Sequence, residues 1–235
     1  MSVWKRIALA LNALLDGESL TEALTKLSTQ PERTVAFTIS VIALGAKLAK
    51  ADGQVTRDEV AAFRRIFTIP PGEEQQAARV FDLARTDVAG FDAYARQIAR
   101  MFRDRPEMLV DVMDGLLAIA VADGEFHPQE DEFLSEVNRI FGLSDQDFRR
   151  IKARHLPDVT DPYMVLGVEP DTSLAELRRH WRQLVRDLHP DRMIGRGAPV
   201  EAQRMAEQRL AAINDAYDVI RQEREAAELA GAVYR

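Results

Sequence analysis

The sequence predicts an all-α protein built in two parts. Between Glu32 and His155, apolar residues recur at helical spacings of three and four, and no run alternates as a strand would. A second periodic region follows it, and capping motifs, prolines and glycines separate the segments of both. We therefore expect a helical bundle over residues 31–155 and a helical hairpin over 162–235. The intervening residues 156–161 would form a linker.

Seven periodic segments predict the helices of the N-terminal part. Turn signals, including Pro70-Pro71 and Gly142, separate them. The uncharged run 35–46 has about the length of a buried core helix, which is shorter than the roughly 20 residues of a membrane span. Together the segments predict a compact bundle. The predicted helices are 32–51, 56–68, 72–86, 89–103, 105–122, 128–141 and 144–155.

Residues 1–30 form a separate N-terminal segment in this prediction. Its apolar stretch breaks at Asn12 and ends at Asp16, so it is too short to span a bilayer, and no small-residue cleavage site follows it. Apolar residues at helical spacing still predict one amphipathic face, which we expect to dock on the protein's own fold. Docking on a partner and peripheral contact with a membrane surface are the alternatives. We therefore expect a cytoplasmic protein with no transmembrane segment.

Two stretches of the bundle echo each other. AKADGQVTRDEV at 49–60 matches AVADGEFHPQED at 120–131. Their common Asp, Gly and Glu resemble the second half of an EF-hand loop, with Asp52 and Asp123 as the acidic candidates. Apolar or basic residues occupy the first and third positions of that loop, which excludes a calcium site of this type. We interpret each repeat as a turn between helices, with its glycine as a left-handed C-cap.

The C-terminal part predicts a helix with two contrasting faces. Ser173 and Glu176 form a capping box that begins it, and leucines and Trp181 recur on one side. Pro190 would end this helix, because proline disfavours helical dihedrals in the residue before it. The opposite side is basic. Its arginines are Arg178, Arg179, Arg182 and Arg186.

The tripeptide His189-Pro190-Asp191 follows the basic helix, and Asn214, Ala216 and Tyr217 form an N-x-A-Y motif in the next one. In this order the motifs resemble the J domain of the DnaJ family, from Asp161 to about Arg221. The resemblance implies a co-chaperone that docks on a DnaK-type chaperone and stimulates its ATP hydrolysis. It assigns the DnaK contact to the tripeptide and to the basic face, that is, to His189, Pro190, Asp191, Arg178, Arg179, Arg182 and Arg186.

Some positions depart from the J-domain pattern. Gln183 stands where lysine is common, and Leu188 replaces a frequent tyrosine. The loop between Asp191 and Glu201 is longer than in many members, and a polar helical tail replaces the usual end of the domain. Because the chain has no cysteine, the zinc-binding client module of full DnaJ proteins is excluded. These features indicate a specialised J protein.

The repeated N-terminal part resembles the TerB-like domain, and TerB-like followed by J domain resembles the DjlA group of J proteins. We expect the TerB-like part to recruit a client or a cellular site. Metal binding has been associated with TerB-like domains, so Asp52 and Asp123 stay candidates, although we expect no metal site and no cofactor. The alternative is a metal-responsive or stress-sensing protein that uses its J module as an interaction domain.

Composition and motifs exclude other classes of protein. The formal net charge is -7, and basic residues are interspersed with acidic ones outside the arginine stripe, which argues against nucleic-acid binding. No Walker motif, G-x-S-x-G elbow, H-E-x-x-H pair or cysteine nucleophile is present, so we expect no enzyme activity. The absence of cysteine fits a reducing compartment.

Overall fold

A computed structural model describes most of the chain from Glu32 onward, and its regular structure there is entirely α-helical. The all-α prediction is confirmed. The N-terminal segment 1–30, most of predicted helix 72–86 and most of the linker lie outside the described residues. The described residues are 32–48, 57–67, 69, 72, 75, 78–79, 90–156, 161–195 and 198–233.

Contacts divide the chain into two compact units, the first ending at Ser144 and the second beginning at Asp145. Helix α1 is central to the first unit, because it packs against α3, α4 and α5. Helix α4 also contacts α2 and α5. The described helices of this unit are α1 (Glu32–Leu48), α2 (Arg57–Ile66), α3 (Phe91–Met101), α4 (Pro106–Ala120) and α5 (Pro128–Phe141).

The core of the first unit forms around the uncharged run of α1. Every residue from Phe37 to Ala46 is buried, as the sequence predicts for a core helix. The ring of Phe37 meets that of Phe102 edge to face, with centroids 5.3 Å apart. Helix α4 lies against this surface with Val112, Leu116 and other apolar residues fully buried. Burial of this apolar area, at roughly 25 cal/mol per Å², is the main stabilising term of the bundle.

The second repeat forms a turn between α4 and α5, as predicted. The backbone N–H of His127 donates to the Glu130 carboxylate at 2.9 Å, and Pro128 is the first residue of α5. The prediction of a glycine C-cap is wrong in detail, because Val121 caps α4 and Gly124 lies three residues further on with a φ of +90°. The chain continues past the end of α4 before it adopts a left-handed conformation at Gly124. The equivalent glycine of the first repeat lies outside the described residues.

The second unit contains five helices in the described residues. They are α6 (Asp145–His155), α7 (Pro162–Leu166), α8 (Leu174–Asp187), α9 (Pro190–Gly195) and α10 (Val200–Val233). Helix α7 packs against α6 and α10, and α10 also contacts α8 and α9. Helix α6, which the sequence analysis assigned to the bundle, therefore groups with the C-terminal helices.

Short-range capping defines the ends of α7 and the start of α8. The Asp161 carboxylate accepts the backbone N–H of Tyr163 at 2.9 Å, and Pro162 occupies the first helical position. Gly167 ends α7 with a φ of +72°, a conformation that glycine adopts without a Cβ penalty. The predicted capping box of Ser173 and Glu176 is confirmed at the start of α8.

Helix α10 is much longer than the predicted partner of the basic helix, because it continues through the polar tail and is 34 residues long in all. Arg224 in that tail donates to the backbone carbonyls of Pro170 and Thr172 at 2.6 and 2.5 Å. Its guanidinium also lies over the ring of Tyr163. The tail therefore ties the loop between α7 and α8 to the end of the domain.

In the residues that the structure describes, no helix combines the length and the apolar character needed to cross a bilayer.

Candidate functional site

The His189-Pro190-Asp191 turn lies at a sharp junction between two helices. Helix α8 ends at Asp187 with Leu188 as its C-cap, and Pro190 is already the first residue of α9. The expectation of a loop after Asp191 is therefore wrong over its first residues. Proline suits this position, because a first helical residue needs no intrahelical N–H bond.

His189 acts as the cap of the short helix α9. Its carbonyl oxygen accepts the N–H groups of Arg192 and Met193 at 3.0 and 3.2 Å, and its Nδ1 accepts the N–H of Asp191 at 3.2 Å. Because Nδ1 accepts here, the ring proton of a neutral His189 lies on Nε2. This outer nitrogen is then available as a donor to a partner molecule.

Both polar side chains of the turn are accessible. The side chains of His189 and Asp191 are 53% and 86% exposed, and the Asp191 carboxylate lies 3.6 Å from Nδ1 of His189. Leu188 and Met193, by contrast, are buried beside the turn. The buried pair flanks the turn, while the imidazole and the carboxylate are exposed to solvent.

The predicted basic face is present on α8. The four arginines Arg178, Arg179, Arg182 and Arg186 are all exposed, and they line one shallow depression together with His180 and Gln183. Arg179 lies 3.9 Å from Glu176, and Arg186 donates to the Gln183 side chain at 3.3 Å. Within the described part of the chain, Arg178 and Arg182 make no ion pair. Their charge is available to an acidic surface.

The capping box at the start of α8 has an electrostatic consequence. The hydrogen bond from the Ser173 hydroxyl lowers the pKa of Glu176, and the Ser173 backbone N–H and the Arg179 charge act in the same direction. This carboxylate lies at the N-terminus of α8, where the helix dipole favours a negative charge.

The N-x-A-Y motif of α10 holds α8 in place through contacts with Trp181. Asn214 accepts the indole N–H of Trp181 at 2.9 Å, and the ring of Tyr217 stacks on Trp181 with centroids 4.4 Å apart. Ala216 is buried. His180 Nε2 lies 2.9 Å from the carbonyl oxygen of Leu166, the last residue of α7. These contacts hold α8, which carries the basic face and leads into the turn, against α7 and α10.

One set of side-chain contacts beside the turn was not predicted from the sequence. The Asp187 carboxylate accepts from Gln183 at 2.8 Å and from Arg192 at 2.5 Å, so it joins the basic helix to the residue after the tripeptide. Asp187 and Arg192 are five residues apart, which is not a helical contact spacing. The only available signal was an acidic residue in the last turn of a helix, where the dipole disfavours it.

The metal candidates are not brought together. Asp52 lies outside the described residues, and Asp123 uses one carboxylate oxygen to accept the backbone N–H of Glu125 at 3.0 Å. In the described ranges, no three acidic or histidine side chains gather as a metal site would require. The structure of these ranges therefore adds no support to either candidate.

Family models match two adjacent regions of the chain. Residues 38–153 match the tellurite resistance protein TerB, and residues 161–228 match the DnaJ domain. The second match contains the tripeptide, the basic face and the N-x-A-Y motif. Both resemblances inferred from the sequence are confirmed.

Curated relatives cover most of the chain at low identity. The Co-chaperone protein DjlA of Aliivibrio fischeri is 24% identical, over 84% of this chain and 82% of the relative. The proteins of that name in Vibrio cholerae and Escherichia coli K12 are 26% and 24% identical, each over 83% of this chain and over 80% and 82% of the relative. No solved structure matches the chain. The chain therefore carries a TerB domain followed by a DnaJ domain, and over most of its length it is similar to the DjlA co-chaperones.

Proposed function

We propose that this protein is a DnaJ-like co-chaperone that stimulates ATP hydrolysis by a DnaK-type chaperone. The observation that carries the proposal is the exposed His189-Pro190-Asp191 turn, held by buried neighbours directly beside an arginine face with unpaired charge. The DnaJ domain match and the DjlA relatives support the same conclusion.

In this proposal the arginine face and the turn make two different kinds of contact with the chaperone. The arginines of α8 attract an acidic surface of the chaperone, and several acting together steer association, although each exposed ion pair contributes only about 0–1 kcal/mol. The turn then makes the specific contact, with the Nε2–H of His189 as donor and the Asp191 carboxylate as acceptor. The chain performs no chemistry of its own, and the hydrolytic machinery belongs to the partner.

The TerB domain has a different role in the proposal. It recruits a client protein or a cellular site, so that the DnaK-type partner is activated locally. The support for this division is that the DnaJ domain match begins only at residue 161 and leaves the TerB domain outside it. We place the activity in the cytoplasm, and the absence of cysteine is compatible with such a reducing compartment. A metal-responsive role of the TerB domain stays a prediction.

The test is single-turnover ATP hydrolysis by the cognate DnaK, with the full chain and its His189→Gln variant. We expect the full chain to accelerate hydrolysis and the variant to lose most of that acceleration, because glutamine cannot reproduce the imidazole donor and cap together. The matched control is His155→Gln at the end of α6, which should stimulate as the unchanged protein does. Equal stimulation by His189→Gln, with the fold intact by circular dichroism, would contradict the proposal.

A further inference from the structure

The corner between α8 and α9 carries a side-chain bridge that lies outside the tripeptide. Asp187 is the last residue of α8, and its two carboxylate oxygens accept from Gln183 on the basic helix and from Arg192 on α9. Gln183 in turn accepts from Arg186 through its Oε1 at 3.3 Å. A continuous series of hydrogen bonds therefore runs from the basic face, past the turn, to the first part of α9.

The negative charge of Asp187 would destabilise the end of α8 unless the bridge to Gln183 and Arg192 offset the repulsion. A carboxylate in the last turn of a helix faces the negative end of the helix dipole, where a basic residue is preferred. Here the charge-assisted bond from the Arg192 guanidinium and the amide bond from Gln183 offset that repulsion. Both partners of the ion pair are 43% exposed, so the pair is a surface feature rather than part of the core.

We infer that Asp187 is a positioning residue, which holds the His189-Pro190-Asp191 turn in register with the arginines of α8 through Arg192 and Gln183. This inference rests on the proposed function and deepens it. Only Leu188 and His189 separate the two helices, so rotation about this short connection would move the turn relative to the basic face. The bridge spans that connection and restricts the rotation.

We expect loss of the bridge to weaken association with the chaperone more than it lowers the maximal rate of stimulated ATP hydrolysis. A partner that must contact the turn and the basic face at once binds a preorganised arrangement with less loss of conformational freedom. Once bound, the partner itself holds both elements in place. We therefore expect Asp187→Ala to raise the half-saturating concentration for stimulation about two- to five-fold, the range of one surface ion pair. The maximal stimulated rate should be nearly unchanged, whereas His189→Gln should lower it.

The direction in which Asp187→Ala changes association distinguishes a positioning role of Asp187 from a simple effect of its charge. Asp187→Ala removes a negative charge beside the basic face, so charge alone would tighten association with an acidic surface. Weaker association is thus expected only if the bridge positions the turn. Asp187→Glu, which keeps the carboxylate, should restore most of the affinity. Asp218→Ala on α10 removes the same charge from a pair with Arg221 on a single helix, and it should not weaken association.

A second measurement needs no chaperone. Hydrogen exchange of the Arg192 and Met193 amides, which donate to the His189 carbonyl, should be faster in Asp187→Ala than in the unchanged protein. Unchanged exchange, or an unchanged or lower half-saturating concentration in a chain that does stimulate, would overturn the inference. If the unchanged protein fails to stimulate at all, the proposed function fails instead, and faster exchange would still support the bridge as a restraint on the turn.

Discussion

The N-x-A-Y motif has a direct physical reason at the scale of single residues. Trp181 lies half-buried on α8, and its indole N–H needs an acceptor when it leaves water. Asn214 supplies this acceptor from α10, while Tyr217 covers the face of the indole. A bare apolar residue at position 214 would fill space but leave the N–H without its bond. The motif thus specifies how α8 sits on α10.

We predict that Asn214→Ala lowers the free energy of unfolding of the C-terminal unit by about 1 kcal/mol, the net value of a typical hydrogen bond. Urea unfolding followed by Trp181 fluorescence would measure the loss, in a Trp4→Phe background so that only one tryptophan reports. Asp215→Ala changes the neighbouring exposed residue and serves as the control. A loss no larger than that of the control would show that the Trp181 bond contributes nothing to stability.

At the scale of secondary-structure elements, the C-terminal extension of α10 closes the C-terminal unit. Arg224 donates to two carbonyl oxygens of the α7–α8 loop, and its Nε lies 3.3 Å from the Tyr163 hydroxyl. A planar guanidinium can make these bonds together because its donors diverge in one plane. The extension therefore closes the domain through a single well-satisfied side chain.

We predict that Arg224→Ala destabilises the C-terminal unit by roughly 1.5–3 kcal/mol, the range for hydrogen bonds to a charged group. Arg224→Lys should recover only part of the loss, because an ammonium cannot reach the same acceptors in the same fork. Arg221→Ala, on the same helix, is the control: among the described residues Arg221 pairs with Asp218 and Glu225, both of α10, and its removal should leave stability unchanged. The same fluorescence-monitored unfolding experiment compares the three variants. Equal stability of Arg224→Ala and Arg221→Ala would show that the bonds of Arg224 to the α7–α8 loop do not stabilise the unit.

Much at this scale could be predicted from local sequence. The capping box at Ser173 and the helical spacing of the apolar residues require only near neighbours, and the structure confirms them. The short helix α9 escaped prediction, because six residues show no full apolar period. The contacts of α6 with α7 could not be predicted either, since they form only when the chain folds.

At the scale of the whole molecule, the distribution of charge matters more than its sum. The net charge is -7, yet the exposed arginines of α8 form a local basic face. The Debye length is about 10 Å at 0.1 M salt, so the arginines act on a surface in contact with them while more distant charges are screened. A partner therefore experiences the basic face rather than the net negative charge.

We predict that raising the ionic strength from about 0.05 to 0.3 M increases the half-saturating concentration for DnaK stimulation on the order of ten-fold. The Arg178→Ala/Arg182→Ala variant should bind more weakly at low salt and show a flatter salt dependence. Arg64→Ala/Arg65→Ala removes two exposed charges from α2 and should keep the original dependence. A salt dependence that is the same in all three proteins would exclude steering by the basic face.

The sequence by itself determined the helical class, the order of TerB and DnaJ domains and the residues of the turn and the basic face. These follow from periodicity, capping and motif spacing, which act over a few neighbouring residues. Only the tertiary structure decided that Arg192 turns back to Asp187, that Arg224 reaches the α7–α8 loop and that Asn214 meets Trp181. Such contacts join residues across a helix break or far apart in the chain, and the geometry of the packed helices selects each partner.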